Sequence, residues 1–157
     1  MKIAFFTDTY HPSLNGVTVS LDHFTKELEE KGHEVVIYAP KVKGYKEKNK
    51  NVIRISSLKV LSSEPEVRLP IPTSASVIKE IAKEDFDLVH AHGNGAFSFL
   101  GYQVARIKGV PYVLTFHNLH TKYTHYFLKE KVVKPKMIAT RMRVFANICD
   151  AVIKKKK

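Results

Sequence analysis

The 157-residue sequence has no tryptophan and a single cysteine, Cys149. One cysteine excludes an intramolecular disulfide. Its apolar setting, VFANICDAVI, reads as a small buried hydrophobe rather than a nucleophile, and a reducing, cytoplasmic setting is expected. No apolar run approaches the ~18 residues of a membrane span. Met1, Lys2 and Ile3 lead straight into a strand-like run with no small-residue cleavage site, so no signal peptide is expected. Acidic residues are scarce, 15 against 26 basic, for a formal charge of +11. Four of the lysines form residues 154–157, which follow no core pattern and are read as an addition to the natural chain; without them the charge is still +7. Such a balance favours an anionic substrate or surface. Nucleic acid is not expected as a partner, because no motif that reads DNA or RNA accompanies the charge.

Two nucleotide motifs are also missing. No G-x-G-x-x-G follows the first strand-like run, and no G-x-x-x-x-G-K-[ST] occurs anywhere. What the chain does have is alternation. Continuous apolar, β-branched runs at 2–7, 34–40, 87–92 and 112–117, with a weaker one at 51–57, predict strands covered on both faces of a parallel sheet. Between them, Val17, Leu21, Phe24 and Leu28 recur on one helical face, and Gly32 stops the helix. Further helices are expected at about 74–83 and 95–108, the latter stopped by Gly109. The fold class is therefore α/β, a Rossmann-like, open, mainly parallel doubly wound sheet. Residues 56–73, with three prolines and no period, read as a long irregular loop. Residues 121–148 read as helical with a break near Pro135.

Ligands of open α/β sheets bind beyond the carboxyl ends of the strands, and three of those ends are unusually polar: TDTYHPSLNGV, HAHGNG and TFHNLH. Histidines at one edge offer donors, acceptors and a proton carrier near neutral pH. Gly16, before a helix N-terminus, lets an anion such as phosphate approach backbone N–H groups. The competing reading is a plain helix start capped by Asn15 or Ser13. His90 and His92 are assigned to opposite faces of their strand, and Asp8 is the one obvious carboxylate at these ends, so no metal site is expected. The stretch 122–143 carries seven basic residues against Glu130, interleaved with aromatics. It reads either as a solvated helix face or as a contact with an anionic membrane.

KIAFFTDTYHPSLNGVTVSLDHFTKELEEKGHEVVIYAP resembles the N-terminus of family 4 glycosyltransferases, DLVHAHGNGAFSFLG their second signature and GVPYVLTFHNLHTKYTHY their third. The flavour is that of the branch that glucosylates diacylglycerol or related lipids. The resemblance covers the chain up to Ile153. It implies one half of a GT-B fold, in which two Rossmann-like domains face across a cleft, with residues 1–153 as the N-terminal, acceptor-side domain. It implies a retaining transfer of a hexose, glucose from UDP-glucose, to a hydroxyl acceptor such as a membrane glycerolipid, with no cofactor or catalytic metal. By the same resemblance, Asn15, Gly16 and Val17 belong to the loop against the donor phosphates. His117 stands beside the reacting sugar as the catalytic residue, and Asp8, Tyr10, His92, Asn94 and Tyr123 face the acceptor. Lys122, Tyr126, Phe127, Lys129, Lys131, Lys134 and Lys136 would dock on the inner face of the membrane. The family's second domain, with its pair of glutamates seven residues apart, is not in the sequence, so the domain alone is expected to be inactive. The alternative is a stand-alone anion- or lipid-surface-binding module of the same fold without catalysis.

Overall fold

The computed structural model describes residues 1–59, 68–70, 75–93 and 95–117. Its elements run β1 (Lys2–Thr7), α1 (Gly16–Glu30), β2 (Glu34–Pro40), β3 (Val52–Ile55), β4 (Ser57–Lys59), β5 (Arg68–Pro70), α2 (Ala75–Ile81), β6 (Leu88–His92), α3 (Ala96–Lys108) and β7 (Tyr112–Thr115). Five strands form one sheet in the order β3-β2-β1-β6-β7. Every pairing in it is parallel. This is the Rossmann-like arrangement expected from the alternation of strands and helices.

The continuous apolar strands are explained by burial on both faces. On one face Ala4, Phe6, Val36, Tyr38, Val89 and Ala91 pack with Ile78 and Ile81 of α2 and Phe97, Leu100 and Val104 of α3. On the other, Ile3, Phe5, Val35, Ile37 and Ala39 pack with Leu21 of α1. The α3 helix sits close on β1 because Gly101 lacks a side chain: a Cβ there would lie 2.8 Å from the Phe6 ring. Of the four apolar residues expected on one face of α1, Leu21 is fully buried, while Phe24 stays 42% exposed over the rings of His90 and His92.

Helix ends follow the sequence signals. The Asn15 side chain caps α1 by accepting from the N–H groups of Val17 and Thr18. Gly32 and Gly109 take positive φ, +79° and +69°, just past the ends of α1 and α3.

Two expectations need correction. Residues 56–73 are not simply an irregular loop, because β4 and β5 lie within them and pair antiparallel, with Leu58 opposite Leu69. Three-residue strands in a stretch that holds Pro65, Pro70 and Pro72 have no room to show a period, which is why the pattern hid them. The fourth main strand ends at Thr115 rather than 117, so His117 lies beyond the ladder. The helical expectation for 121–148 falls outside the described residues.

Candidate active site

The strand order reverses between β1 and β6. The β1–β2–β3 run winds one way from β1, and β6–β7 lies on its other side. Crevices beyond the carboxyl ends at such a switch point are where open α/β sheets bind ligands. Three segments converge there: the loop after β1, the β6–α3 turn and the end of β7.

Asp8, the first residue beyond β1, ties two of them together. Its carboxylate accepts from the N–H of Gly95 at 3.1 Å and of Phe97 at 3.0 Å, and so caps α3 from 87 residues away. Gly95 itself offers no side-chain cap. A Cβ on Gly95 would lie 2.4 Å from Asp8 Oδ1, so only glycine leaves room for this bond. Burial raises the Asp8 pKa to about 6, outweighing the N–H groups of Phe97, Gly95 and Ala96, which pull it down.

Three histidines line the other side of the crevice, and here the sequence reading is wrong. His90 and His92 share one face of β6, because residues two apart in a strand point the same way. Their ring centroids lie 4.1 Å apart. The parallel register sets His90 beside Phe5 and His92 beside Thr7 and Thr115. His90 Nε2 is 2.8 Å from Thr115 Oγ1. His92 Nδ1 is 3.0 Å from His117 Nε2. His92 is 1% exposed, and its Nε2 is buried without a hydrogen-bond partner among the described residues. Phe5 packs on both β6 rings, with centroids at 5.3 and 4.8 Å.

This apolar seat keeps the cluster neutral. Burial, then the neighbouring His117, pushes His90 down to about 4. Burial, then His90 and His117, pushes His92 down to about 2. Burial lowers His117 as well. At neutral pH the cluster can therefore hand hydrogen bonds along but does not hold a positive charge. Among the described residues no group of His, Cys, Asp and Glu side chains is arranged to hold a metal ion.

At the head of α1, Asn15 occupies the N–H groups of Val17 and Thr18, and its backbone carbonyl takes that of Val19. Of the first four N–H groups, Gly16's is the one left without a protein partner among the described residues. No atom lies within 4 Å of a Cβ built on Gly16, so the surface there is open. The two readings of this loop thus coexist: it is a capped helix start with one backbone donor remaining.

Tyr10 is 6% exposed, and its hydroxyl donates to Asp22 at 2.7 Å. Burial and that carboxylate raise its pKa. His11 Nε2 reaches the other Asp22 oxygen at 2.8 Å. Tyr10 therefore belongs to the support of the loop. Asn94, Tyr123, Lys122, Tyr126, Phe127, Lys129, Lys131, Lys134 and Lys136 lie outside the described residues.

Sequence reasoning missed the residue that anchors the loop from below. Arg54 of β3 bonds the carbonyls of His11 and Pro40 and pairs with Glu47, its side chain only 10% exposed. Its guanidinium lies over the rings of Tyr45 and Tyr10, at 5.2 and 5.6 Å. The one available signal was a charged residue inside the otherwise apolar run NVIRISS.

A family model for Glycosyltransferase Family 4 matches residues 14–153. The chain is 32% identical over 155 residues to the alpha-monoglucosyldiacylglycerol synthase of Streptococcus pneumoniae, covering 98% of this chain and 35% of that protein. It is 30% identical over 130 residues to the synthase of the same name from Acholeplasma laidlawii, covering 82% of this chain and 33% of that one. The chain thus spans about a third of the length of these curated relatives. Among solved structures, sucrose-phosphate synthase from Thermosynechococcus elongatus superposes with a TM-score of 0.57 over 92% of this chain and 39% of its own, at 14% identity, a likeness of fold. Among the described residues no helix is long and apolar enough to cross a membrane. A family match over most of the sequence, on a Rossmann-like sheet with its polar loops gathered at the switch point, settles the affiliation: the chain belongs to glycosyltransferase family 4.

Proposed function

We propose that this chain is the N-terminal, acceptor-side domain of a retaining glycosyltransferase that moves glucose from UDP-glucose to the free hydroxyl of a diacylglycerol-type lipid. The observation that carries the reading is the identity with two alpha-monoglucosyldiacylglycerol synthases, which in the first extends along 98% of the chain. The geometry supports it. His117 stands just past the end of β7, backed by His92 and neutral at physiological pH, where a reacting sugar could lie against it. Gly16 offers an open backbone donor for a phosphate oxygen at a helix N-terminus. In the transfer, the bond between glucosyl C1 and the UDP oxygen breaks, the acceptor oxygen bonds C1, and the acceptor hydroxyl's proton passes to the departing diphosphate oxygen. Backbone donors and cations stabilise the leaving diphosphate. The chain spans about a third of its relatives' length, which supports a reading in which a second domain completes the site and this chain alone is inactive. The basic and aromatic residues of 122–143 hold the enzyme on the anionic inner face of the membrane.

The test is transfer of labelled glucose from UDP-glucose to diacylglycerol vesicles by the longer enzyme carrying this domain, with UDP-galactose and GDP-mannose as competing donors. Glucolipid formation supports the reading. A soluble acceptor used in preference to lipid would overturn the acceptor assignment, and transfer by this chain alone would overturn its inactivity. In the longer enzyme His117→Ala should lower turnover at least tenfold with the fold intact; unchanged turnover removes His117 from the site. Sedimentation of the chain without residues 154–157 should show salt-sensitive binding to anionic vesicles and none to neutral ones. Equal sedimentation with both, or with neither, would remove the membrane role of 122–143.

A further inference from the structure

The one hydrogen bond between His92 and His117 can be made in two ways, and they give His117 opposite chemistry. If His117 Nε2–H donates to His92 Nδ1, His92 carries its proton on Nε2 and His117 turns a bare Nδ1 lone pair outward, as a base would. If His92 Nδ1–H donates to His117 Nε2, the roles reverse, and His117 turns an Nδ1–H outward.

The surroundings of His92 decide between them. Its Nε2 is buried and has no hydrogen-bond partner among the described residues. The first arrangement would leave an N–H there with no acceptor, the rarer and costlier kind of buried orphan. The second leaves only a lone pair. Neither ring escapes the choice by taking a second proton: burial against Phe5 keeps His92 neutral, and partial burial lowers His117 as well. Nor does His92 have room to turn over, because it is 1% exposed and wedged between the rings of Phe5 and His90, at 4.8 and 4.1 Å.

We propose that His92 is a positioning residue whose Nδ1–H donates to His117 Nε2, so that neutral His117 carries its proton on Nδ1 and presents it to the crevice as a hydrogen-bond donor. His117 then serves an oxygen lone pair, such as a sugar hydroxyl oxygen or an anionic oxygen of the leaving group, and does not take the acceptor's proton. This deepens, and for its catalytic consequence rests on, the transferase reading above.

The tautomer is measured directly on this chain, with no ligand, from long-range 1H–15N correlations of the histidine rings at neutral pH. The expected pattern is a pyrrole-like Nδ1 and a pyridine-like Nε2 on both His92 and His117. A pyrrole-like Nε2 on His117 overturns the proposal. His92→Asn, whose side-chain amide can donate from near the Nδ1 position, should keep the His117 pattern, whereas His92→Leu should lose it. In the longer enzyme, kcat should fall at least tenfold in His92→Leu with KM little changed, and recover to within about threefold in His92→Asn. If the ring pattern is as expected but kcat does not respond, the tautomer stands and the role given to His117 in transfer fails.

Discussion

Acid should destabilise this fold through its buried histidines, and the size of the effect can be worked out. His90 and His92 have pKa values near 4 and 2 in the folded chain against an ordinary 6.5. From pH 7 to pH 5 both rings therefore stay neutral when folded and become protonated when unfolded. The unfolded state binds more protons, so stability falls as pH falls. Over this window the loss depends on the unfolded value alone and amounts to about 2 kcal/mol for each ring. Asp8 acts in the opposite sense. Its folded pKa of about 6 lies above the ordinary 3.8, so the folded state takes up the proton first and gains about 1.3 kcal/mol at pH 5. The net loss from these three groups is about 2.5 kcal/mol, a large share of the ~5–15 kcal/mol that holds a typical domain. Urea unfolding at pH 7, 6 and 5 reads it as a falling midpoint. His90→Gln isolates the cause, because an amide can still reach Thr115 Oγ1 but does not titrate, so its stability should fall by about 2 kcal/mol less than the parent's between pH 7 and 5. Parallel pH curves for the two proteins would refute the reasoning.

Gly95→Ala should push the Asp8 carboxylate off the head of α3, since the new Cβ would meet it at 2.4 Å. The lost cap and the strain together should cost about 2 kcal/mol or more, read as a fall in Tm, whereas Asp8→Asn, which can still cap, should cost about 1 kcal/mol or less. Equal effects would mean that capping is not what Asp8 supplies. Arg54→Ala should destabilise by about 3 kcal/mol, because it strands the Glu47 carboxylate and two loop carbonyls. A double Arg54→Met, Glu47→Leu variant should recover most of that; urea midpoints of the single and double variants check both statements.

The fold was legible where one physical cause wrote the pattern. Burial on both faces of a parallel sheet forces continuous apolar strands, and runs such as KIAFFT and EVVIYAP could be little else. Helix ends were legible for the same reason, since Gly32 and Gly109 occupy the left-handed positions that favour glycine. The paired β4 and β5 were not, because three residues carry too little periodicity to outweigh the three prolines of that stretch. At the site, the sequence located the polar strand ends but not what they do. Placing His90 and His92 on opposite faces was a misapplied period rather than missing information: spacing by two already put both rings over Phe5.

Asp8 and Tyr10 differ from that case. Both stood in the right loop, yet one spends its carboxylate on backbone N–H groups 87 and 89 residues away and the other spends its hydroxyl on Asp22. Nothing in a linear string distinguishes a polar side chain aimed at a ligand from one that satisfies the chain's own buried donors, because both need the same groups in the same loops. What separates them is the count of partners in the folded state. By that count Asp8, Tyr10 and Arg54 build and brace the crevice. His117, whose second ring nitrogen has no partner among the described residues once His92 has taken the first, is the group proposed to meet a substrate. The same accounting explains why the crevice can be both rigid and reactive. Polar groups that are fully paired hold the loops at the switch point, and the few left unpaired at its surface are the ones with chemistry to offer.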